Sequence, residues 1–412
     1  MEAVDLAWLL AAFALVLAMF PGLAMFYGGM LGARHTLNMI MMVMSALPVT
    51  AVVYVLVGHG LVLGDSVFGL GLIGNPVDLL GFSTLMVDDG AGSTYWAAFY
   101  FLFAAITVAI MASGAAGRMK FSGWLVFSAV WLLLVYSPIA HWVFAFDNEE
   151  SGTVGGWLRN VVELHDFAGG TAVHMNAGVA ALALAIVLGK RKAYPGRPHN
   201  LPLVVLGAGL LWVGWIGFNG GTAAGANFLA QYVVLTTLLA GCTGMIGFTL
   251  VEKLREGRAT TLGLVSGLVA GLVGITPSAD AVSPVGALLV GLFTGAAVSG
   301  LMTLISRLRV DEPLDAFAIH GLGGIIGTFC VILFGAAAAP AGVTGVLFGG
   351  SWDILWRELI AIAATCLYSF VMTFVIAKVL DRAIGLRVDE RTELTGLDTV
   401  LHAESAYHLA RN

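Results

Sequence analysis

The sequence contains 412 residues, of which 19 are basic and 25 are acidic, so only 11% of the side chains carry a formal charge. Soluble domains average about 25% charged residues. With 59% hydrophobic residues, a mean hydropathy of +0.94 and a net charge of −6, the composition excludes a water-soluble enzyme, a disordered protein and a nucleic-acid-binding protein. We therefore expect an integral membrane protein.

Eleven mostly apolar runs approach or exceed the length of about 20 residues that a helix needs to cross a bilayer. Because these runs are long and uninterrupted, they favour helices over the alternating strands of a membrane barrel. The predicted spans are residues 5–28, 37–63, 94–116, 122–145, 166–189, 201–218, 226–252, 261–276, 283–306, 316–338 and 352–381. The eighth is short and rich in glycine. The sequence thus predicts an all-α integral membrane protein with eleven transmembrane helices.

The basic residues predict the orientation, because cytoplasmic loops carry an excess of Lys and Arg. Seventeen of the 19 lie in odd-numbered loops or near the C-terminus, and only Arg159 and Arg357 lie on the other side. We therefore expect the N-terminus outside and the C-terminus in the cytoplasm. The seventeen are Arg34, Arg118, Lys120, Lys190, Arg191, Lys192, Arg197, Lys253, Arg255, Arg258, Arg307, Arg309, Lys378, Arg382, Arg387, Arg391 and Arg411.

Two blocks of five predicted spans carry similar motifs at matching places. The first and sixth spans end in Phe-Tyr-Gly-Gly (26–29) and Phe-Asn-Gly-Gly (218–221), and the fifth and tenth each carry an acidic residue followed by a histidine. Because each block has an odd number of spans, the two blocks must have opposite orientations, as in transporters built from inverted repeats. We expect repeat one at about residues 1–190, repeat two at about 200–340 and an extra C-terminal helix at 352–381.

Histidines inside the spans are functional candidates, because ionisable groups within a bilayer are costly. His174 and His320 are both flanked by glycines, and a pseudo-twofold axis between the repeats would bring them together at the bilayer centre. Two neutral imidazoles can share one hydrogen bond there and pass a proton. The alternatives are a purely structural interhelical hydrogen bond and axial ligation of a haem.

Asp166 and Asp315 stand at the starts of the fifth and tenth spans, where acidic side chains often cap helices. On a continuous helix, Asp166 and His174 would lie near one face and about 12 Å apart along the axis. We expect the N–H groups of Ala168 and Gly169 to donate to Asp166, whose charge would also favour a nearby cation. We expect Asp315 to cap and orient the tenth helix.

Phenylalanines gather toward the predicted outer ends of the third, fourth and sixth spans. Aromatic belts are common at membrane interfaces, so position alone assigns no function. The alternative is a cation–π cage for a small cation, with phenylalanine rings closing the path below it. The residues concerned are Phe99, Phe101, Phe103, Phe144 and Phe218. The three cysteines lack metal-binding spacing, and we expect neither a metal site nor a cofactor.

Five motifs occur in order along the chain: F-Y-G-G-M at 26–30, D-F-A-G-G-T-A-V-H-M-N-A-G at 166–178, W-V-G-W-I-G-F-N-G-G at 212–221, D-A-F-A-I-H-G-L-G-G at 315–324 and G-L-R-V-D-E-R-T-E-L-T-G-L-D at 385–398. Taken together, they resemble the ammonium transporter family (Amt/Mep/Rh), in particular its prokaryotic Amt branch. The resemblance extends over essentially the whole chain. It implies a homotrimer in the plasma membrane, with one narrow pore through each subunit.

The resemblance also implies roles for individual residues. His174 and His320 match the twin pore histidines, a proton relay, and Phe103 and Phe218 match the stacked phenylalanines of a gate. The residues implied in ammonium recruitment are Phe103, Phe144, Thr222, Asp166 and Trp142. Phe144 stands where relatives usually have a tryptophan, a stronger cation–π partner than phenylalanine. Either the site binds ammonium more weakly here, or the neighbouring Trp142 contributes.

The segment 382–412 resembles the cytoplasmic regulatory tail that follows the membrane domain in this family, here residues 1–381. The matching tail residues are Gly385, Leu386, Arg387, Gly396, Leu397 and Asp398. The resemblance implies that the tail controls the conformation of the pore. In prokaryotic relatives a PII-type nitrogen-signalling protein binds the cytoplasmic face, so we expect such a partner here.

The sequence therefore predicts ammonium uptake rather than an enzymatic activity. Ammonium would bind at an outer aromatic site and lose its proton, and ammonia would then cross a hydrophobic pore containing the two histidines. Three alternatives stay open: a neutral gas channel for ammonia or carbon dioxide like the Rh proteins, a haem-bearing membrane oxidoreductase, and an ammonium receptor that does not transport.

Overall fold

The computed structural model describes residues 2–192, 198–307 and 310–407. Arg197, Arg309 and Arg411 from the charge pattern, and the last residues of the tail, 408–412, lie outside the described residues. Within the described part the chain is helical, and its only β-pairs are isolated bridges. This confirms the predicted all-α class.

Eleven helices, α1 to α11, follow the predicted spans closely. They are α1 (Ala3–Met30), α2 (Thr36–Leu63), α3 (Ser93–Ala115), α4 (Phe121–Phe144), α5 (Gly170–Leu188), α6 (Leu201–Thr222), α7 (Phe228–Glu256), α8 (Thr261–Ile275), α9 (Pro284–Arg307), α10 (Phe317–Phe334) and α11 (Asp353–Ile384). In the described residues ten of them are long and apolar enough to cross a membrane. At 15 residues, α8 is shorter than the length of about 20 that a full crossing needs, so the count of eleven spans stays a prediction.

Four predicted boundaries, at residues 166, 218, 252 and 338, were wrong by about one helical turn, and two of them bear on the site. The fifth span was expected to begin at Asp166, but α5 begins at Gly170. The sixth was expected to end at Phe218, but α6 continues to Thr222. Asp166 is therefore outside the helix that carries His174, and Thr222 is inside the helix that carries Phe218.

Glycines allow the central helices to approach closely. On α1 and α6, a Cβ atom added at Gly207 would collide with the backbone of Phe26. On α5 and α10, a Cβ atom added at Gly178 would collide with the backbone of Gly321. Small residues permit such close packing between membrane helices. The first helices of the two predicted repeats thus pack together, as do their fifth helices, although the inverted-repeat arrangement itself stays a prediction.

The C-terminal tail packs on one end of the helical bundle. Two short helices, α12 (Glu390–Thr395) and α13 (Leu397–His402), follow α11. The backbone of Arg387 forms an isolated bridge with Met119, just after α3, and the N–H of Asp398 donates to the carbonyl oxygen of Arg34, between α1 and α2. The tail therefore contacts the loops at this end, and the first turns of α3 lie at the opposite end.

Candidate functional site

His174 and His320 meet in the interior of the bundle. The two Nδ1 atoms lie 3.2 Å apart, the ring centroids lie 5.3 Å apart, and both side chains are buried. Since a hydrogen bond needs one donor and one acceptor, one Nδ1 carries the proton and the other accepts it, which two neutral imidazoles satisfy. The structure thus brings together the two histidines that the sequence singled out, which we call the histidine pair.

The local backbone explains why these two rings can meet. Both α5 and α10 begin with a wide π-helical turn, Gly170–Met175 and Phe317–Leu322, and each turn contains its histidine. Such turns are rare and are frequently found at functional sites. Because Gly178 and Gly321 have no side chains, the two helices can also approach at backbone distance just beyond the rings. The meeting of the rings therefore depends on wide turns and on glycine contacts.

Asp166 caps the start of α5 with three hydrogen bonds. Its carboxylate accepts from the backbone N–H groups of Gly169, Gly170 and Thr171, each at 2.8 Å, and the side chain is only 1% exposed. The prediction that Ala168 donates to Asp166 was wrong, since the N–H of Ala168 donates instead to the carbonyl oxygen of Thr276. The expected two-turn helical spacing to His174 was also wrong, because Gly169 adopts a φ of +99° and α5 begins only at Gly170.

At the start of α10, the capping residue is Glu312 and not the predicted Asp315. The carboxylate of Glu312 accepts from the N–H groups of Leu314 and Phe317. Among the described residues, no hydrogen bond reaches the carboxylate of Asp315, whose backbone has a φ of +55° and whose carbonyl accepts from Ile319. Asp315 is the acid nearest to the helix in sequence, but the chain folds back so that the more distant Glu312 reaches the free N–H groups.

Two phenylalanines stack directly beside the histidine pair. The rings of Phe103 on α3 and Phe218 on α6 are parallel within 6°, with centroids 4.0 Å apart, and both are buried. The Phe218 centroid lies 5.9 Å from that of His174. His174 also stacks on Trp215, whose Nε1 donates to the Thr276 hydroxyl at 2.9 Å. Phe103 and Phe218, which we call the phenylalanine gate after the role that the family resemblance implies, form one continuous column of rings with the histidine pair.

A cavity of about 600 Å³ reaches Phe103, one of the two stacked rings, at the end of the bundle opposite the tail. We call it the aromatic cavity. Its aromatic lining includes Trp96, Phe99, Tyr100, Phe103 and Phe144, and its polar lining consists of Arg159, His165, Asp166, Thr222 and Asp280. The Thr222 hydroxyl donates to the carbonyl oxygen of Phe218 at 2.9 Å, so its lone pairs stay available to a donor in the cavity. Rings and oxygen acceptors together suit a small hydrogen-bonding cation.

A family model for the Ammonium Transporter Family matches residues 7–407, which is nearly the whole chain. The chain belongs to this family. An ammonium transporter of Corynebacterium glutamicum is 57% identical over 413 residues, which cover 100% of this chain and 91% of the relative. This finding confirms the family resemblance read from the five motifs.

Solved structures of the ammonium transporter family have the same fold. Mep2 of Saccharomyces cerevisiae superposes with a TM-score of 0.83 at 32% identity, over 95% of this chain and 88% of Mep2. A solved Sensor Amt Protein superposes with a TM-score of 0.87 at 28% identity, over 97% of this chain and 98% of that one. The fold of the family therefore extends over almost all of this chain.

Within this family member, two aromatic residues predicted near the site lie elsewhere. Trp142 is absent from the lining of the aromatic cavity; its Nε1 donates to the carbonyl oxygen of Leu72 at 2.7 Å and its ring packs on Trp157. Phe101 contacts Tyr54 instead of the cavity. The prediction that Trp142 compensates for the phenylalanine at 144 was therefore wrong. In a helix, residues two positions apart point about 200° apart, so Phe144 and Trp142 cannot face the same cavity.

Several lining residues were missed by the sequence analysis. Trp96, Tyr100 and Phe103 are separated by four and three residues, so they lie on one face of α3. This spacing was a sequence signal that could have predicted Trp96 and Tyr100 as neighbours of Phe103 in the cavity lining. Arg159 lies in a single helical turn, Trp157–Asn160, and His165 and Asp280 come from loops. Segments this short have no periodic pattern that would indicate where their side chains point. Trp96 places an indole ring on the wall of the same cavity that Phe144 lines.

The predicted tail residues hold the tail against the ends of α2 and α5. Arg387 donates to the carbonyl oxygens of Leu188 and Lys190, at the end of the helix that carries His174. Asp398 accepts from the N–H groups of Leu37 and Asn38 and so caps α2. Four further tail residues shape this segment: Leu386 and Leu397 are fully buried, and Gly385 and Gly396 have φ values of +65° and +117°.

Proposed function

We propose that this protein takes up ammonium across the plasma membrane. Ammonium binds in the aromatic cavity, loses its proton there, and crosses as ammonia past the phenylalanine gate to the histidine pair, which relays the proton. The family membership and the names of the relatives, which are transporters, support ammonium transport and not enzymatic catalysis. The observation that carries the mechanism is the continuous column from the cavity through Phe103, Phe218 and His174 to His320.

The chemistry of the column favours ammonia over an intact ion. An ion that enters an apolar passage loses its hydration at a large free-energy cost. Potassium has a similar radius to ammonium, so size alone does not separate them. Ammonium, however, donates hydrogen bonds to acceptors such as the Thr222 hydroxyl, and it can lose its proton and continue as a neutral molecule. A gate of two stacked rings followed by neutral imidazoles therefore suits ammonia.

The histidine pair is arranged to pass a proton. The shared hydrogen bond between the Nδ1 atoms links the two rings directly. The Nε2 atom of His174 is buried and makes no hydrogen bond to the described residues, so it stays available to a molecule in the passage. A proton taken up by one ring can move to the other through the shared bond. Removing both imidazoles removes this route while leaving the aromatic cavity intact.

The test is a double variant, His174→Ala with His320→Ala, in proteoliposomes and in an ammonium-uptake-deficient strain. We expect the current evoked by ammonium to disappear, because the relay has no ionisable group left. The matched control is His59→Ala, another buried histidine on α2, whose Nδ1 pairs with the Tyr54 hydroxyl away from the column. Undiminished ammonium current in the double variant, correctly assembled, would contradict the relay.

A second candidate function is an ammonium receptor, which the similarity to the Sensor Amt Protein favours. A receptor would bind ammonium without moving it. Rescue of the uptake-deficient strain on limiting ammonium by the wild-type protein would exclude a receptor that does not transport. Transport without current would instead favour a neutral gas channel of the Rh type.

We further propose a homotrimer with the N-terminus outside and the tail, residues 382–412, in the cytoplasm. The family resemblance supports the trimer and a PII-type protein as partner at the tail face. The distribution of basic residues supports the orientation, since the end of the bundle that carries the tail also carries Arg118, Arg191 and Arg387. In this orientation the aromatic cavity opens to the outside. The division of residues 1–381 into two repeats and an eleventh helix belongs to the same proposal.

A further inference from the structure

His165 and Asp280 form an ion-pairing contact at the wall of the aromatic cavity. The His165 Nε2 atom lies 2.9 Å from an Asp280 carboxylate oxygen, and the two side chains are 19% and 12% exposed. Both residues line the cavity. Neither belongs to the column of rings, and the proposed pathway assigns them no role. They come from loops separated by 115 positions in the sequence, so the contact exists only in the folded chain.

The other charged groups facing this pair are fixed by the backbone. The Asp166 carboxylate accepts three N–H groups. The guanidinium of Arg159 donates to three carbonyl oxygens, including that of Asp166. Behind the pair, the buried carboxylate of Glu358 accepts from the backbone N–H of His165 at 2.7 Å. Within the cavity lining, Arg159 and Asp166 balance each other, so the His165–Asp280 pair decides the net charge that a cation meets there.

The charge of the pair depends on one proton. Burial acts to lower the pKa of His165, but the adjoining Asp280 carboxylate outweighs burial and raises the pKa above its ordinary value. An ordinary histidine titrates between about pH 5 and 8. With His165 neutral, the pair carries one negative charge toward the cavity; with His165 protonated, it carries none. External acid therefore removes one negative charge from the place where the cation binds.

We propose that the His165–Asp280 pair is a recognition element for the ammonium ion, and that its protonation from the outside weakens ammonium binding in the aromatic cavity. This inference rests on the proposed transport function. Asp280 supplies the attracting charge, and His165 decides how much of that charge is free. Across the width of a hydrated cavity, one unit charge changes the affinity for a monovalent cation by about threefold.

The experiment measures the ammonium concentration that gives half-maximal current in proteoliposomes, with equal pH on both sides, between about pH 5 and 8. For the wild-type protein we expect this concentration to rise by about threefold toward acid. In His165→Gln the amide can still donate to Asp280 but takes up no proton, so the concentration should stay near the wild-type alkaline value at every pH. In Asp280→Asn the concentration should be raised at alkaline pH. It should change little toward acid, because without the Asp280 charge burial lowers the pKa of His165 and favours the neutral ring.

The matched control is Glu150→Gln, which removes one carboxylate from an exposed loop outside the cavity lining and should follow the wild type. Comparing each variant with the wild type at the same pH cancels the effect of pH on the driving force. Parallel pH profiles for the wild type and His165→Gln would overturn the proposal, as would an unchanged alkaline affinity in Asp280→Asn. Absence of any ammonium current in the wild type would instead contradict the proposed function itself.

Discussion

Replacing Asp166 by asparagine should destabilise the protein by about 3 kcal/mol, because the carboxylate makes three hydrogen bonds in a buried site. Hydrogen bonds to a charged group contribute about 1.5–3 kcal/mol each, and an orphaned buried donor adds its desolvation cost. One oxygen accepts from both Gly169 and Gly170, and the other accepts from Thr171. Asparagine keeps one acceptor oxygen and turns an NH₂ group toward the remaining N–H, so at least one bond becomes a donor–donor contact.

The assay is the free energy of unfolding in mixed detergent micelles, measured by titration with a denaturing detergent, together with ammonium-evoked current. A loss of about 3 kcal/mol changes the folding equilibrium by about a hundredfold. Current should fall as well, because Asp166 fixes the turn that carries His174. Asp315→Asn is the matched control, since no hydrogen bond to its carboxylate is seen in the described residues, and it should cost much less. Equal losses in the two variants, or a loss below about 1 kcal/mol in Asp166→Asn, would refute the reasoning.

Two further predictions concern the end of the bundle that carries the tail. Burial acts to raise the pKa of Asp311, but hydrogen bonds from Arg191 outweigh burial and lower the pKa below its ordinary value. Asp311 also forms ion pairs with Arg191 and with the fully buried Arg118. These ion pairs therefore stabilise the fold above about pH 4 and are lost as the pH falls below that value. Asp311→Asn should therefore lower the free energy of unfolding by about 3 kcal/mol at neutral pH, and the difference from the wild type should shrink toward acid. A difference that does not change with pH would contradict this role of the ion pairs. Arg387→Ala should free the tail from the end of α5 and speed backbone hydrogen exchange in residues 385–402 by about tenfold. Arg391 is exposed, so Arg391→Ala is the control and should leave the exchange rates unchanged. Equal exchange rates in the two variants would contradict the contact between the tail and α5.

Two of the wrong predictions, those for Trp142 and Asp315, share a physical cause. Trp142 was assigned to the cavity because it is only two residues from Phe144 in the sequence. A helix rotates by about 100° per residue, however, so the side chain of Trp142 points away from the cavity. Asp315 was assigned as a cap because it stands next to the helix, but Glu312 is the acid whose carboxylate reaches the free N–H groups. In both cases nearness in sequence was taken for nearness in space, and the direction of the side chain decided otherwise.

The sequence by itself determined the membrane class, the approximate helices and the identity of the two histidines. A long apolar run has few alternatives to a helix in a bilayer, and an ionisable residue inside such a run stands out against it. Only the tertiary structure decided that the ring of Phe218 lies beside His174, that Trp96 faces the cavity, and that His165 meets Asp280. These contacts join distant loops and helices whose relative positions follow from glycine packing and helix termini, which a local pattern of residues does not encode.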